Sequence, residues 1–343
     1  MKAFVLDAPG KFRVADVPMP ASPGPDEVLL EVRVVGMCGS DLSTFGGKNP
    51  LVTFPRIPGH EVAAIVAKAG GDVPAEFQPG TAVTMLPYSS CGACAACRHG
   101  RPNACKNNQT LGVQRDGALT EFLVAPWTKL KKASGLPFRT LAMVEPLTVG
   151  NHAVKRGRIV AGDTVLVVGC GMVGLGAIAG AAFRGARVIA MDMDSSKLEL
   201  ARRTGAQHLL DARSESIAET LRELTAGDGP DVVIEAVGTP ATFRMAIDAV
   251  AFAGRVVYIG YAKEPVSYET KLFVQKELDI LGSRNATPAD FDEVIAMLRS
   301  GHFPVEDAVS LVISIEEAGE ALQRWSANPA SMRKIMVEFA PGA

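Results

Sequence analysis

The sequence predicts an α/β protein in two parts: a β-rich part, and a parallel sheet wrapped by helices on both faces. Three observations carry that prediction. Short β-branched runs between Pro/Gly-rich turns fill the first part of the chain, strand and helix patterns alternate from about residue 158, and a Gly-rich turn opens that alternation. A chain of 343 residues also exceeds one ordinary core, so two domains are expected.

Taken in order, Val28-Leu29-Leu30-Glu31-Val32-Arg33-Val34-Val35 reads as a strand between the turn-forming residues 18–25 and 36–39. Residues 63–67 and 81–85 repeat that texture. Val165-Leu166-Val167-Val168 is a continuous apolar run, the mark of a strand buried on both faces, and a helix of small residues follows it. Val188-Ile189-Ala190-Met191 and a helix over about 195–204 come next, then Val232-Val233-Ile234 and Val256-Val257-Tyr258-Ile259. Such alternation builds a doubly wound sheet. Beyond about residue 287, amphipathic helices over 291–300 and 315–325 precede Lys334-Ile335-Met336-Val337-Glu338-Phe339, a strand expected to return to the β-rich part.

Composition narrows the function. A net charge of −2 without a basic block argues against nucleic-acid binding, which rests on clustered Lys and Arg. The longest apolar stretch, 164–182, is broken by glycines and followed by Arg184, so no membrane span is expected. The start, with Asp7 interrupting a short apolar run, is unlike a secretory signal. Four of six cysteines crowd into residues 91–105, which in such a chain points to metal rather than disulfides and to the cytoplasm.

Gly169-Cys170-Gly171-Met172-Val173-Gly174 is a G-x-G-x-x-G turn directly after a strand and before a helix. Its glycines allow a tight turn, close backbone approach to a pyrophosphate, and close helix–sheet contact, while the helix N-terminus offers free N–H groups to phosphates. Asp192 lies 18 positions after Gly174, at the end of the second strand. A carboxylate there hydrogen-bonds both ribose hydroxyls of NAD and repels a 2′-phosphate, so NAD is expected over NADP. Asp194 suits the cap of the next helix, and Lys197 either helps hold the ribose or is solvated.

Cys91, Cys94, Cys97 and Cys105 have the spacing C-x2-C-x2-C-x7-C. Four thiolates close a tetrahedral zinc site with no open position, which makes the site structural, and an iron–sulfur cluster is the other use of such a set. The loop carries no Phe, Tyr or Trp, and a nucleic-acid-binding zinc ribbon is not expected. A wider set comprises Cys38 in Cys38-Gly39-Ser40-Asp41, His60 in Pro58-Gly59-His60-Glu61, and Glu145 in Met143-Val144-Glu145-Pro146. One thiolate, one imidazole and one carboxylate leave a zinc position open, as catalysis requires.

These motifs, in this order, resemble those of the zinc-containing medium-chain alcohol dehydrogenases, over essentially the whole chain. The resemblance implies a GroES-like catalytic domain from residues 1–147 and 287–343, and a Rossmann-type dinucleotide-binding domain over 148–286, with the catalytic zinc in the cleft between them. It further implies that Cys38, His60 and Glu145 hold that zinc, that Glu61 joins or exchanges with its ligands, and that Ser40 bonds the substrate oxygen. Asp41 would orient His60. A homodimer or homotetramer is implied as well.

Within the family the chain looks most similar to the polyol and sugar-acid branch, since Glu145 stands where simple alcohol dehydrogenases carry a cysteine. Residues 111–117 and 276–285 look similar to those of dehydrogenases that oxidise the 5-hydroxyl of L-galactonate, L-gulonate or L-idonate. Arg284 and Asn285 would then meet the carboxylate or hydroxyls of a polyhydroxy substrate, the alternative being a solvated loop arginine. Ser43 replaces a histidine that relays the proton in many relatives, which leaves Ser40, the cofactor ribose and water for that task, or His152. Zinc brings the pKa of water from about 15.7 to about 7, roughly 12 kcal/mol at about 1.36 kcal/mol per unit, against roughly 3–5 for a general base, so deprotonation falls to the metal. A simple-alcohol or threonine dehydrogenase and a catalytically silent dinucleotide-binding protein are the competing readings.

Overall fold

The computed structural model describes residues 1–339. The chain forms two compact units, Met1–Glu145 with Val305–Ala343, and Pro146–Pro304.

The first unit is built on a seven-stranded sheet in which Leu311–Ser314, Ile335–Glu338, Glu27–Met37, Glu61–Ala69, Ala82–Met85 and Leu130–Lys132 lie side by side. The strand Glu27–Met37 organises it. One edge runs antiparallel to Glu61–Ala69, and the other is divided between two partners. Phe122–Pro126 takes residues 27–31, and Ile335–Glu338 takes residues 34–37. The last strand therefore does return to the β-rich part, with Ile335 opposite Met37. Alternating apolar residues supply the core, where Phe4, Leu30, Val35, Met37, Val62, Leu119 and Val337 are buried together. Cys38 and His60 consequently sit at the ends of two neighbouring strands: Cys38 follows Met37, and His60 precedes Glu61.

The second unit is a six-stranded, all-parallel sheet in the order His208–Asp211, Arg187–Asp192, Thr164–Val168, Val232–Glu235, Arg255–Tyr258, Asp279–Gly282. That is the Rossmann-type order, and it reverses at Thr164–Val168, the strand that feeds the Gly-rich turn. Val165, Leu166, Val167 and Val168 are all buried, as a strand covered on both faces demands.

The sequence-based boundary at 286 falls before the helix Pro288–Arg299, whereas the compact unit ends after it, at Pro304. Side chains explain the difference. Asp290 bonds His152 at 2.9 Å, and Glu293 accepts from Asn151 at 2.9 Å and Arg184 at 2.6 Å, so the helix is tied to the parallel-sheet unit by polar contacts that its apolar pattern does not announce. Among the described residues no helix is long and apolar enough to cross a membrane.

Candidate active site and metal centres

The loop after Met37 turns at once into the short helix Gly39–Phe45, with Cys38 as its N-cap. Asp41 fixes the loop: one carboxylate oxygen accepts the Cys38 N–H at 2.9 Å, and the other accepts the Gly59 N–H at 3.4 Å. The same oxygen stands 3.9 Å from His60 Nδ1, beyond hydrogen-bond reach. Asp41 thus ties together the backbone of both loops that carry Cys38 and His60.

Ligand atoms of Cys38, His60 and Glu61 all lie within 4.8 Å of one another. Both Glu61 oxygens are also 2.6 Å from the Lys334 ammonium, which donates further to the Met37 carbonyl at 3.1 Å, and this pair is fully enclosed. Glu145 is buried too, outside that close trio, and its carboxylate accepts the Tyr88 hydroxyl. Burial pushes the Glu145 carboxyl above its ordinary range and Glu61 adds to the rise, while His60, Tyr88 and Lys334 oppose it. For His60, burial favours the neutral ring, but Asp41, Cys38 and Glu145 outweigh it and hold the imidazole well above its usual pKa. The cluster is a place prepared for positive charge.

Two buried polar atoms here have no hydrogen-bond partner among the described residues, His60 Nδ1 and Ser40 Oγ. Unpaired buried polar groups are costly, so a sulfur–nitrogen–oxygen donor set beside them fits a zinc ion and a hydroxyl-bearing ligand.

In the loop after Tyr88, Cys94 Sγ lies 3.5 Å from Cys97 Sγ and 3.8 Å from Cys105 Sγ, and Cys105 Sγ lies 3.5 Å from Cys91 Sγ. A disulfide needs about 2.05 Å. A tetrahedron with zinc–sulfur bonds of about 2.3 Å has edges near 3.8 Å. All four sulfurs lie within 4.8 Å of one another, so the loop fits one zinc ion. Backbone N–H groups of Cys97 and Lys106 lower the Cys94 thiol to about 6, toward the thiolate that binds metal, whereas burial pushes Cys97 up to about 11.

At the Gly-rich turn, Gly169 has φ +94°. A Cβ on Gly174 would stand 1.8 Å from the Gly169 carbonyl oxygen, but one on Gly171 would meet nothing within 4 Å. The open ground in front of Gly171 is the cradle that a pyrophosphate would fill at the N-terminus of the helix Met172–Phe183. Asp192 braces this turn, accepting the Cys170 N–H at 2.7 Å and the Asp194 N–H at 3.0 Å. Asp194 caps the next helix through the Ser196 and Lys197 N–H groups, at 2.8 and 3.3 Å. The Lys197 ammonium is close enough to act electrostatically on Cys170 and Asp194.

Arg284 is exposed, and Asn285 is half-buried with φ +52°; both take part in interactions of their own. His152, a candidate relay on sequence, is instead a buried partner of Asp290 in the parallel-sheet unit. Sequence reasoning missed Tyr88 and Lys334. Lys334 reads as the polar flank of a strand, and its single sequence signal is a lysine abutting an apolar run. Tyr88 is a lone aromatic between a strand and the cysteine loop.

The alcohol dehydrogenase GroES-like domain family matches residues 24–135, and the zinc-binding dehydrogenase family matches residues 172–300. The L-galactonate-5-dehydrogenase of Escherichia coli K12 is 32% identical over 317 residues, covering 92% of this chain and 93% of that protein. An alcohol dehydrogenase (rspB) of Escherichia coli CFT073 in complex with NADH superposes with a TM-score of 0.90 at 28% identity, covering 99% of both chains. A Sinorhizobium meliloti 1021 structure bound to NADP also gives a TM-score of 0.90, at 31% identity and with 98% of both chains covered.

Proposed function

This chain belongs to the zinc-type medium-chain alcohol dehydrogenase family, and we propose that it oxidises a secondary hydroxyl of a sugar acid or polyol, foremost the 5-hydroxyl of a hexonate, with NAD as acceptor. The observation that carries this reading is the cluster of half-buried Cys38 with buried His60 and carboxylate, beside the unpartnered Ser40 hydroxyl. Zinc held there would supply Lewis acidity toward a hydroxyl oxygen, and NAD held at the glycine turn would accept hydride.

The residues divide the remaining work. Cys38, His60 and Glu145 hold the metal, Tyr88 positions Glu145, and Glu61 stays in reserve while Lys334 satisfies both its oxygens. Ser40 Oγ would take the substrate proton, and Ser43 stands where many relatives carry a relay histidine, so water would complete the relay. Backbone N–H groups of Gly171, Met172 and Val173, at the start of the helix Met172–Phe183, would receive the pyrophosphate. Asp192 takes the ribose hydroxyls with the lone pairs left over from its two backbone bonds. It also disfavours a 2′-phosphate. The neighbouring cation Arg213 pairs with Asp211 through contacts of 2.6–3.2 Å. Arg284 and Asn285 are the candidates for recognising the substrate carboxylate. The second zinc, held by Cys91, Cys94, Cys97 and Cys105, folds its loop.

The test is NADH absorbance with zinc-replete protein, NAD, and a panel of hexonates, polyols, simple alcohols and threonine. A dominant rate on one hexonate or polyol, with little on NADP, is the expected result. A dominant rate on a simple alcohol or threonine would overturn the substrate class but not the chemistry. Silence across the panel with both zincs present would overturn the reaction.

A further inference from the structure

The β-rich unit holds a cavity of about 200 Å³, remote in sequence from the zinc ligands Cys38 and His60 and from the glycine turn. Two cations line it, Arg115 and Lys129, together with Ser89 and Ser90 and the apolar Met85 and Leu111. No acidic residue lines it. Neither cation has an ion-pair partner among the described residues. The nearby Asp116 is spent on Arg56 and the Ile57 N–H, at 2.9 and 3.1 Å.

The polar contacts of both cations are sparse. Lys129 donates to the Tyr88 carbonyl at 2.8 Å, and Arg115 reaches the Pro87 carbonyl only at 3.4 Å. Arg115 Nε is buried with no partner. Burial works against the charge of each, and Arg115 adds its repulsion to Lys129. Two half-buried like charges facing one cavity without a counter-charge are a destabilising arrangement unless something arrives to neutralise them.

We propose that this cavity is a binding site for a small oxyanion, held between the Arg115 guanidinium and the Lys129 ammonium with the Ser89 and Ser90 hydroxyls as further donors. A planar guanidinium fork beside a point-charge ammonium is the donor set that recognises carboxylate or phosphate. The volume equals roughly six or seven waters, enough for an anion of a few heavy atoms. The apolar wall favours a carboxylate with a short hydrocarbon tail. Lys129 and Arg115 also hold the carbonyls of Pro87 and Tyr88, and Tyr88 carries Glu145, so an occupant would act on the segment that positions this carboxylate.

The test is calorimetric titration of the zinc-replete full chain at low ionic strength with inorganic phosphate, acetate and butyrate, with chloride as control. Saturable binding is expected, at least tenfold weaker in Arg115→Met and in Lys129→Met and retained in Lys129→Arg. Butyrate tighter than acetate and phosphate would assign the natural ligand to the organic acids, and the reverse order to phosphates. No saturable binding, or binding unchanged in the methionine variants, would overturn the site. Should the variants fail to fold, selenate soaked into crystals of the unaltered chain decides: an anomalous peak between Arg115 and Lys129 is expected, and its absence would overturn the site.

Discussion

At the scale of single residues, the metal cluster separates the groups that bind from the groups that hold the binders. Replacing Cys38 by Ser or His60 by Ala removes a ligand, so turnover should fall at least about a thousandfold, in line with the several kcal/mol of charge stabilisation a metal supplies. NADH binding, followed by fluorescence, should survive, and its loss would sink the assignment of separate metal and dinucleotide sites. Lys334 is a different case. Its ammonium is the counter-charge of a fully enclosed Glu61, and removing one partner of such a pair leaves a buried charge uncompensated. Lys334→Met should cost about 3–5 kcal/mol in urea unfolding, and adding Glu61→Gln should recover part of it. A Lys334→Met protein as stable as its parent would show that the pair contributes little.

At the scale of elements, the glycine turn and the helix Pro288–Arg299 make opposite demands. Gly171 opens on free space and Gly174 on backbone, so the same methyl group has two outcomes. Gly171→Ala should keep the fold and weaken NAD binding at least about tenfold, near 1.4 kcal/mol. Gly174→Ala should cost about 1–3 kcal/mol of stability or more through overpacking. Thermal midpoints and NADH titrations read the two apart, and equal effects would contradict the cradle. The helix depends on Asp290. Although burial raises its pKa, hydrogen bonds from His152 and Thr287 lower it to about 2, from an ordinary 3.8. A carboxyl whose folded pKa is depressed lends stability that is complete above its unfolded pKa and lost as pH falls through the folded value. Acid unfolding should therefore show a loss of up to about 2 kcal/mol between about pH 4 and pH 2, absent in Asp290→Asn.

At the scale of the molecule, two units with different ligands should respond to them separately. In calorimetry, NAD at about a hundred times its dissociation constant should add about 2.7 kcal/mol to the unit Pro146–Pro304, with NADP at the same concentration adding far less. Equal shifts would remove Asp192 as the discriminating group. This division was legible in sequence because it rests on contiguous signals: an apolar strand running into G-x-G-x-x-G, and four cysteines within 15 residues. What was illegible is long-range and polar. Lys334 meets Glu61 across 273 positions, and Tyr88 meets Glu145 across 57. No local pattern encodes either meeting. The sixth parallel strand, Asp279–Gly282, has mostly exposed residues and so lacks the apolar run that marked its neighbours. The helix Pro288–Arg299 falls in the compact unit Pro146–Pro304, and the carboxylates that tie it there, Asp290 and Glu293, are invisible to a hydrophobic period.

The divided edge of Glu27–Met37 has a consequence for biosynthesis. Its residues 34–37, next to Cys38, wait for Ile335–Glu338, so the strand must leave the ribosome and remain half-paired while some 300 further residues are made. At about 5–20 residues per second that interval is roughly 15–60 s. The parallel-sheet unit, continuous in sequence, can close within it. The zinc-binding unit can close only at the end, when Lys334 arrives to neutralise Glu61. Chains stalled or clipped before that point should carry an open strand edge and an unbalanced carboxylate, the features that chaperones and proteases act on.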